Sequence, residues 1–294
     1  MTLMGGSVES GTLDPATDRP PRRRRRNPPG EAVRSTVIAL VSTVVVFGIL
    51  VAVVTSAPNW SQVQDSFFNA EIFARALPKV VAAFVVNIQL FLAAEVLILA
   101  LGLALAILRG LPGPALFPVR LLATGYVDFF RAVPGLLIIY VLGFGIPGLG
   151  IPGIPTDPFP YAVLALTLVY SAYVSEVYRA GIDSVHWSQE AAARSLGLSR
   201  PQALRYVVVP QAVRRVIPPL LNDFIGLQKD TVLVSVIGVV EIFRQGQILK
   251  QATFNFTPFM AVALVFIVVT IPLARFTDWL VARDRSRQAA MGFR

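Results

Sequence analysis

The sequence predicts an all-α membrane protein with about six transmembrane helices, and three observations support this prediction. Of its 294 residues, 55% are hydrophobic and only 15% are charged, and mean hydropathy is +0.66, a balance typical of membrane proteins. The apolar residues are gathered into runs of about 20 or more, which is the length that crosses a bilayer as a helix. Arginine is concentrated in alternate segments between these runs, as cytoplasmic loops require.

The apolar runs predict the positions of the spans and of the segments between them. The six predicted spans cover residues 35–57, 80–108, 121–142, 161–178, 216–240 and 256–281. Between them we expect an interfacial helix at residues 66–76, an external Gly/Pro-rich loop at 143–160 and a short external amphipathic helix at 242–252. Proline removes a backbone hydrogen bond from a helix, so we expect Pro134 to bend span three and Pro218–Pro219 to break span five.

The distribution of basic residues predicts the orientation. Six spans place both termini on one side, and the segments on the opposite side then contain only Arg75, Lys79, Arg244 and Lys250 as basic residues. The termini are therefore predicted to be cytoplasmic. Residues 1–34 predict a disordered Arg- and Pro-rich tail, whose arginines either anchor the cytoplasmic end or bind acidic lipid or RNA. Residues 283–294 predict a second cytoplasmic tail.

The longest polar, arginine-containing interruption of the apolar sequence lies between spans four and five, at residues 188–211; we call it the helix-pair loop. Its first half is rich in alanine and ends at Gly197, which is suited to the position after a helix. Ser199 and Gln202 have the spacing of a capping box and predict a second helix, which Pro210 is expected to close. A folded polar helix pair predicts a docking surface for a soluble partner, and the alternative is an ordinary amphipathic surface loop.

The helix-pair loop resembles the EAA loop of ABC importer permeases of the polar amino-acid uptake branch. That pattern reads G-Q-x-E-A-A-x-x-L-G, followed after nine residues by two aliphatic residues one apart and then Pro-Gln-Ala. The matching residues are Gln189, Ala192, Ala193, Leu196, Gly197, Val207, Val209, Pro210, Gln211 and Ala212. Ser188 replaces the glycine and Ala191 replaces the signature glutamate, while Glu190 lies one residue early, about 100° around a helix. The resemblance implies docking to a separate ATPase subunit through Ser188, Gln189, Glu190, Ala191, Ala192, Gly197, Val207 and Pro210.

Three further segments resemble the same family. Residues 126–134 are similar to Y-V-x-F-x-R-G-T-P, with Ala132 and Val133 in place of Gly and Thr, and residues 171–179 are similar to G-A-Y-x-A-E-x-x-R-G. Residues 228–233 are similar to K-D-T-S-L, with a valine in place of the serine. The resemblance covers roughly residues 79–281 and implies a five-helix permease core at 79–282. It also implies an extra N-terminal helix at 35–57 and cytoplasmic coupling helices between spans four and five.

Polar and ionisable residues within the predicted spans are candidates for lining a substrate pathway, because placing them in lipid is costly. Glu95 either faces a passage, where it meets a substrate ammonium, or pairs with Arg131. Lys229 either reaches a substrate carboxylate or is neutralised by Asp230. The candidate pathway residues are Glu95, Asp128, Arg131, Pro134, Asn222, Asp223, Lys229, Asp230 and Thr231. For Glu176 and Arg179, which are three residues apart, we expect a structural role that ties span four to the helix-pair loop.

Several functional classes are excluded by the residues that the sequence lacks. The chain has no Cys and a single His, His186, so it has no disulfide framework, thiolate metal site or multi-histidine metal site. None of its three lysines follows a glycine, so no phosphate-binding G-x-x-x-x-G-K-[ST] loop is present. No nucleophile–base constellation indicates an enzyme. If the chain is an ABC permease, as the resemblance implies, ATP and Mg²⁺ are expected on a partner chain, with no cofactor on this one.

The resemblance implies the permease subunit of an ATP-driven importer for polar or charged amino acids, working by alternating access in a bacterial cell membrane. The implied partners are two ATPase subunits, a second permease subunit (identical or a sister chain) and an extracytoplasmic solute-binding protein, with no nucleic acid. Two alternatives stay open. One is a gradient-driven secondary transporter or channel in which Glu95, Asp128, Arg131 and Lys229 form a relay. The other is a structural or assembly factor.

Overall fold

A computed structural model describes residues 29–290 of the chain and the side chains of residues 33–283 and 286. Residues 1–28 of the predicted tail 1–34, with the arginine run 22–26, and residues 291–294 of the predicted tail 283–294 lie outside the described residues. Within residues 29–290 every regular element is a helix. The α-helices are α1 Pro29–Thr55, α2 Trp60–Phe68, α3 Ala70–Arg109, α4 Phe117–Ala132, α5 Gly135–Gly148, α6 Phe159–Asp183, α7 Trp187–Ser195, α8 Arg200–Ala203, α9 Val209–Asp230, α10 Ile242–Thr253 and α11 Thr257–Ala290. Two 3₁₀ segments, Pro114–Leu116 and Thr231–Ile237, and a π-helix, Leu204–Val208, complete the order.

The described chain divides into two compact units, with the boundary between Trp60 and Ser61. The first unit contains α1, a helix of 27 residues, which at 1.5 Å per residue is about 40 Å long and exceeds the hydrocarbon thickness of a bilayer. Its described side chains, from Val33 to Thr55, are all exposed, and the stretch Val33–Thr55 has a hydropathy of 3.0. This helix confirms the first predicted span.

The second unit is organised around the long helices α3 and α6, which pack along each other. Small and aliphatic side chains such as Ala94, Ile98, Ala165 and Leu166 let the two backbones approach and form the centre of the main core. The first half of α3 packs instead against α10 and α11, in a second cluster that includes Val80. The helix α9 lies against α6 and the second half of α3. This arrangement places the polar residues of α9 beside those of α3 and α6.

Proline affects the spans differently at its two predicted positions. At Pro134 the chain changes direction by 103° between α4 and α5, so predicted span three is a broken pair rather than one bent helix. At Pro218–Pro219 the predicted break is wrong, because α9 continues through both residues. Proline removes an amide donor from the helix at each of these two positions, but it also fixes φ near the helical value. Packing against neighbouring helices can therefore maintain α9 through both residues. Four described helices are long and apolar enough to span a membrane, or up to six if each bent pair counts as one.

Two predicted segments have different bounds in the structure. The interfacial helix expected at residues 66–76 is wrong because α2 ends at Phe68 and α3 begins at Ala70. Asn69 makes this break, since its side-chain oxygen accepts the N–H of Ile72 at 3.1 Å and caps α3. The external loop expected from residue 143 begins only after Gly148, where α5 ends. A glycine at residue 143 therefore serves helix packing rather than a loop.

Gly143 packs so closely against Ile237 that a side chain at this position has no space. A Cβ added to Gly143 would lie 2.5 Å from Cγ2 of Ile237, whereas one added to Gly145 in the same helix would meet nothing within 4 Å. We expect Gly143→Ala to lower the free energy of unfolding by about 1–3 kcal/mol through overpacking. Unfolding of the purified protein in detergent measures this change. Gly145→Ala is the control, and equal stabilities of the two variants would contradict the prediction.

Candidate functional site

The helix-pair loop begins with α7, which ends at Ser195, shortly before Gly197, as the sequence analysis predicts. His186 precedes the helix, and its Nδ1 accepts the N–H of Ser188 at 3.2 Å. Gly197 follows the helix in the left-handed region, at φ +91°, and its N–H donates to the carbonyl of Arg194 at 3.0 Å. A residue with a side chain is strained in this conformation. Gly197 therefore fixes the turn between α7 and α8.

The second helix of the loop begins as predicted but does not end at Pro210. The N–H of Ser199 donates to Oε1 of Gln202 at 2.8 Å, as the capping-box spacing requires. The chain then passes through the π-helix into α9 without interruption. At the junction the N–H of Val209 bonds to the carbonyl of Leu204, the wide spacing of a π turn. Pro210 thus lies in the first turn of α9, where its missing N–H is tolerated, and does not close the helix.

The two short helices are tied to each other and to α9 by polar contacts. Oε1 of Glu190 lies 3.5 Å from Nε of Arg200, which joins α7 to α8. The side chains of Gln211 and Gln189 meet at 3.4 Å, which joins α9 to α7. Of the predicted docking residues, Gln189, Ala191, Ala192, Gly197 and Pro210 are exposed, whereas Ser188, Glu190 and Val207 are half-buried. The loop is thus a folded surface attached to one end of α9.

Glu176 joins three helices near this end of the molecule. Its Oε1 lies 2.7 Å from Nη1 of Arg109 in α3 and 3.4 Å from Nη1 of Arg131 in α4. Arg131 therefore pairs with Glu176 in α6, and no ion pair between Arg131 and Glu95 is found among the described residues. Arg179 pairs with Asp183 in its own helix at 3.6 Å. The structure thus places Glu176 between α3, α4 and α6, and neither Glu176 nor Arg179 has an ion pair with a described residue of the helix-pair loop.

Carboxylates from α3 and α9 lie around α6 in the interior of the second unit. The hydroxyl of Tyr170 donates to Oδ2 of Asp230 at 2.7 Å. Asp223, about two turns of α9 earlier, has a buried Oδ2 without a hydrogen-bond partner among the described residues. Glu95 of α3 is half-buried. Glu95 thus lies on α3 and both aspartates lie on α9, and these two helices pack against α6.

The consecutive residues Lys229, Asp230 and Thr231 point to three different surroundings. Lys229 is exposed, and the described part of the chain contains no ion pair to it, not even with its neighbour Asp230. Thr231 is fully buried, and its hydroxyl donates to the carbonyl of Gln228 at 2.8 Å. The remaining candidates Asp128, Arg131, Pro134 and Asn222 are exposed on the single chain. The structure therefore brings together only some of the candidate pathway residues.

A buried polar network that the sequence analysis did not identify connects Thr231 to α10. Asn87 of α3 donates through Nδ2 to the hydroxyl of Thr231 at 2.9 Å and to Oε2 of Glu241 at 3.1 Å. Its Oδ1 accepts the N–H of Ile242 at 3.0 Å. Asn87 is only 1% exposed and Glu241 is not exposed at all. A buried polar group at these depths requires such partners, so the network holds the 3₁₀ segment and α10 against α3.

Glu241 also begins α10. Its carboxylate accepts the N–H groups of Phe243 at 2.9 Å and Arg244 at 2.7 Å, which is the N-cap arrangement. An acidic residue immediately before the predicted amphipathic helix was the available signal for the cap, and Asn87 within an apolar run was the signal for a buried partner. No group of three or more His, Cys, Asp or Glu side chains that could hold a metal ion occurs among the described residues.

Comparisons with known proteins identify the family and the fold of the chain. The family model described as "Binding-protein-dependent transport system inner membrane component" matches residues 115–286. The chain is 38% identical over 184 residues to the "Probable glutamine ABC transporter permease protein GlnM" of Bacillus subtilis (strain 168), covering 62% of this chain and 82% of that one. It is 36% identical over 207 residues to the "Glutamate transport system permease protein GluC" of Corynebacterium efficiens, covering 67% and 90%.

Solved structures show the same fold. A chain from the crystal structure of an amino acid ABC transporter with histidines superposes with a TM-score of 0.66 at 31% identity, covering 71% of this chain and 96% of that one. A chain of the MetNI methionine ABC transporter in an inward-facing conformation superposes with a TM-score of 0.55 at 14% identity, covering 68% and 93%. At that identity the second likeness concerns the fold alone.

Proposed function

Because the chain belongs to the family of binding-protein-dependent transport system inner membrane components, we propose that it is the transmembrane permease subunit of an ATP-driven importer for polar or charged amino acids. The observation that carries this proposal is the helix-pair loop, a folded polar surface attached to α9 between two apolar helices. The glutamine and glutamate named for its relatives support an amino-acid substrate.

The proposed partners follow from what this chain offers and what it lacks. Two ATPase subunits bind ATP and Mg²⁺ and dock on the helix-pair loops of two permease subunits, identical or paired with a sister chain. An extracytoplasmic solute-binding protein delivers the substrate to the opposite side. The absence of a phosphate-binding lysine loop from the sequence supports separate ATPase chains, and the arginine asymmetry supports a cell-membrane protein with cytoplasmic termini.

The continuity of α8, the π-helix and α9 supports a mechanism for alternating access. These elements run without interruption from Arg200 to Asp230, so one end carries the docking surface and the other carries the Lys229–Asp230–Thr231 group. Movement of the ATPase subunits displaces the tied helix pair and is transmitted along this helix to the pathway. The proposed pathway is lined by Glu95, Asp223 and Asp230 within a permease domain at residues 79–282.

Purification from the native membrane in mild detergent, with mass spectrometry of the bound proteins, tests the proposed function. We expect a P-loop ATPase to co-purify and to be lost when Gly197→Val and Glu190→Ala are combined, because the turn and the α7–α8 tie are both removed. The matched control combines Gly153→Val and Asp157→Ala, since Gly153 also has positive φ, at +87°, and a Cβ there meets nothing within 4 Å.

The same preparation reconstituted in liposomes separates the two transport mechanisms. We expect amino-acid uptake that requires ATP and the co-purified ATPase. A chain that is isolated without any ATPase, and whose uptake follows an imposed membrane potential, would overturn the importer proposal. That result would direct attention to Glu95 and a gradient-driven mechanism.

A further inference from the structure

A polar depression lies between the two short helices of the helix-pair loop. It is a shallow feature of about 610 Å³ that is open to solvent, and its lining includes Ala191, Arg194, Gly197, Ser199 and Arg200. The charged side chains in this lining are both arginines, and no carboxylate from the described residues contributes to it. The depression therefore presents positive charge to whatever docks on the loop.

The acidic residue that is nearest in sequence does not neutralise this charge completely. Glu190 directs Oε1 to Nε of Arg200 at 3.5 Å, so its carboxylate is used to hold α7 and α8 together. Arg194 is exposed and has no ion pair within the described part of the chain. Arg205 adds a further exposed guanidinium beyond α8, over the ring of Tyr206. The local excess of positive charge thus belongs to Arg194.

Ala191 makes the depression differ from the pattern that the loop otherwise resembles. The signature glutamate of that pattern would stand at this position, one turn before Arg194 on the same face of α7. The structure has a methyl group there, and the carbonyl of Ala191 already accepts the hydroxyl of Ser195 at 3.0 Å. A partner therefore meets a neutral surface beside an unpaired arginine, where the pattern provides a carboxylate.

We propose that the ATPase subunit docking on this chain carries a carboxylate that enters the depression and pairs with Arg194 and Arg200. This inference rests on the proposed function and specifies the partner: the groove of its ATPase is acidic where it faces Ala191 and Arg194. Complementary charge sets the orientation and the choice of partner in such contacts. The substitution of Ala191 for glutamate and the acidic groove form one matched feature.

Two substitutions at position 191 separate charge from size. We expect Ala191→Glu to reduce the ATPase retained in detergent about tenfold, because it places a carboxylate against the partner's carboxylate, whereas Ala191→Gln, of similar size, retains it. Arg194→Glu is expected to reduce retention to a similar degree. Arg283→Glu is the matched control, since Arg283 is an exposed arginine near the end of α11, stacked on Trp279. Retention by the unaltered chain should also decrease as salt is raised.

A cross-linking experiment identifies the carboxylate directly. The only lysines of the sequence are Lys79, Lys229 and Lys250, so Arg194→Lys places a single lysine in the helix-pair loop. A carbodiimide, which joins an amine to a carboxylate in contact with it, should link Lys at position 194 to an Asp or Glu of the ATPase. The unaltered complex, treated in the same way, gives no link through an amine of this loop, because the loop has no lysine, and any link through the carboxylate of Glu190 is common to both complexes. Mass spectrometry of the linked peptides names the partner residue.

The outcomes distinguish this inference from the proposed function. If the unaltered chain retains no ATPase, the proposed function fails. If it retains an ATPase that Ala191→Glu leaves bound or binds more tightly, the groove carries no opposing carboxylate and the inference is overturned. The inference is also overturned if Arg194→Glu leaves the ATPase bound but abolishes binding of the purified complex to vesicles of anionic lipid, since Arg194 then faces lipid head groups.

Discussion

ATP-driven uptake is expected to fall about 10- to 100-fold when Lys229 is replaced by Met, the loss that follows from removing one charge-assisted hydrogen bond. Lys229 lies at the end of the continuous helix from the docking loop, is exposed, and has no ion pair within the described part of the chain. An unpaired ammonium beside the proposed pathway suits the carboxylate that every amino-acid substrate carries. Uptake by the reconstituted complex at several substrate concentrations measures the effect.

The controls for Lys229→Met separate substrate binding from assembly. Lys229→Arg retains the charge and should retain most uptake, and the bound ATPase should remain with both variants. Lys250→Met removes the same charge from α10, where Nζ lies 5.0 Å over the ring of Phe256, and should leave uptake unchanged. Equal losses from Lys250→Met and Lys229→Met, or an unaltered uptake with Lys229→Met, would contradict the assignment of Lys229 to the pathway.

The fold could be predicted wherever a local signal determines the structure. The apolar runs predicted the long helices. The glycine predicted the turn at Gly197, and the capping-box spacing predicted the start of α8 at Ser199. The failed prediction of a break at Pro218–Pro219 concerns proline, whose effect depends on what packs around it. Pro134 separates α4 from α5, whereas Pro218 and Pro219 lie within α9. Neighbouring helices decide between these results, and the sequence does not display them.

The candidate site could be predicted in its composition but not in its pairings. The resemblance and the cost of charge in lipid selected Glu95, Asp223 and Asp230, which the structure places around α6. The partner of Arg131, by contrast, is Glu176 at 3.4 Å. The two residues are far apart in the sequence, and several acids in the spans offered equally plausible partners. Register between helices, rather than residue type, determines which charges meet.

The hydrogen bond between Asn87 and Glu241 is a further pairing that the sequence did not predict, and it leads to a prediction about stability. We expect Glu241→Ala to lower the free energy of unfolding by about 3–5 kcal/mol, because it leaves two backbone N–H groups without an acceptor and removes one of the two acceptors of the Asn87 amide. Glu241→Gln should cause roughly half this loss, since one oxygen remains as an acceptor. Unfolding of the purified protein in detergent measures both changes.

The control and the partner substitution decide whether the loss arises from this network. Glu71→Ala removes an exposed carboxylate that pairs with Arg75 within α3, and exposed ion pairs contribute at most about 1 kcal/mol. Combining Asn87→Ala with Glu241→Ala should cost clearly less than the sum of the single changes, because the two residues share a hydrogen bond. Strict additivity would show that the hydrogen bond between Asn87 and Glu241 contributes nothing and that the carboxylate acts through its cap of α10 alone. Asn87 would then hold α10 to α3 only through the N–H of Ile242, beside the apolar contacts around Val80 and Ile242.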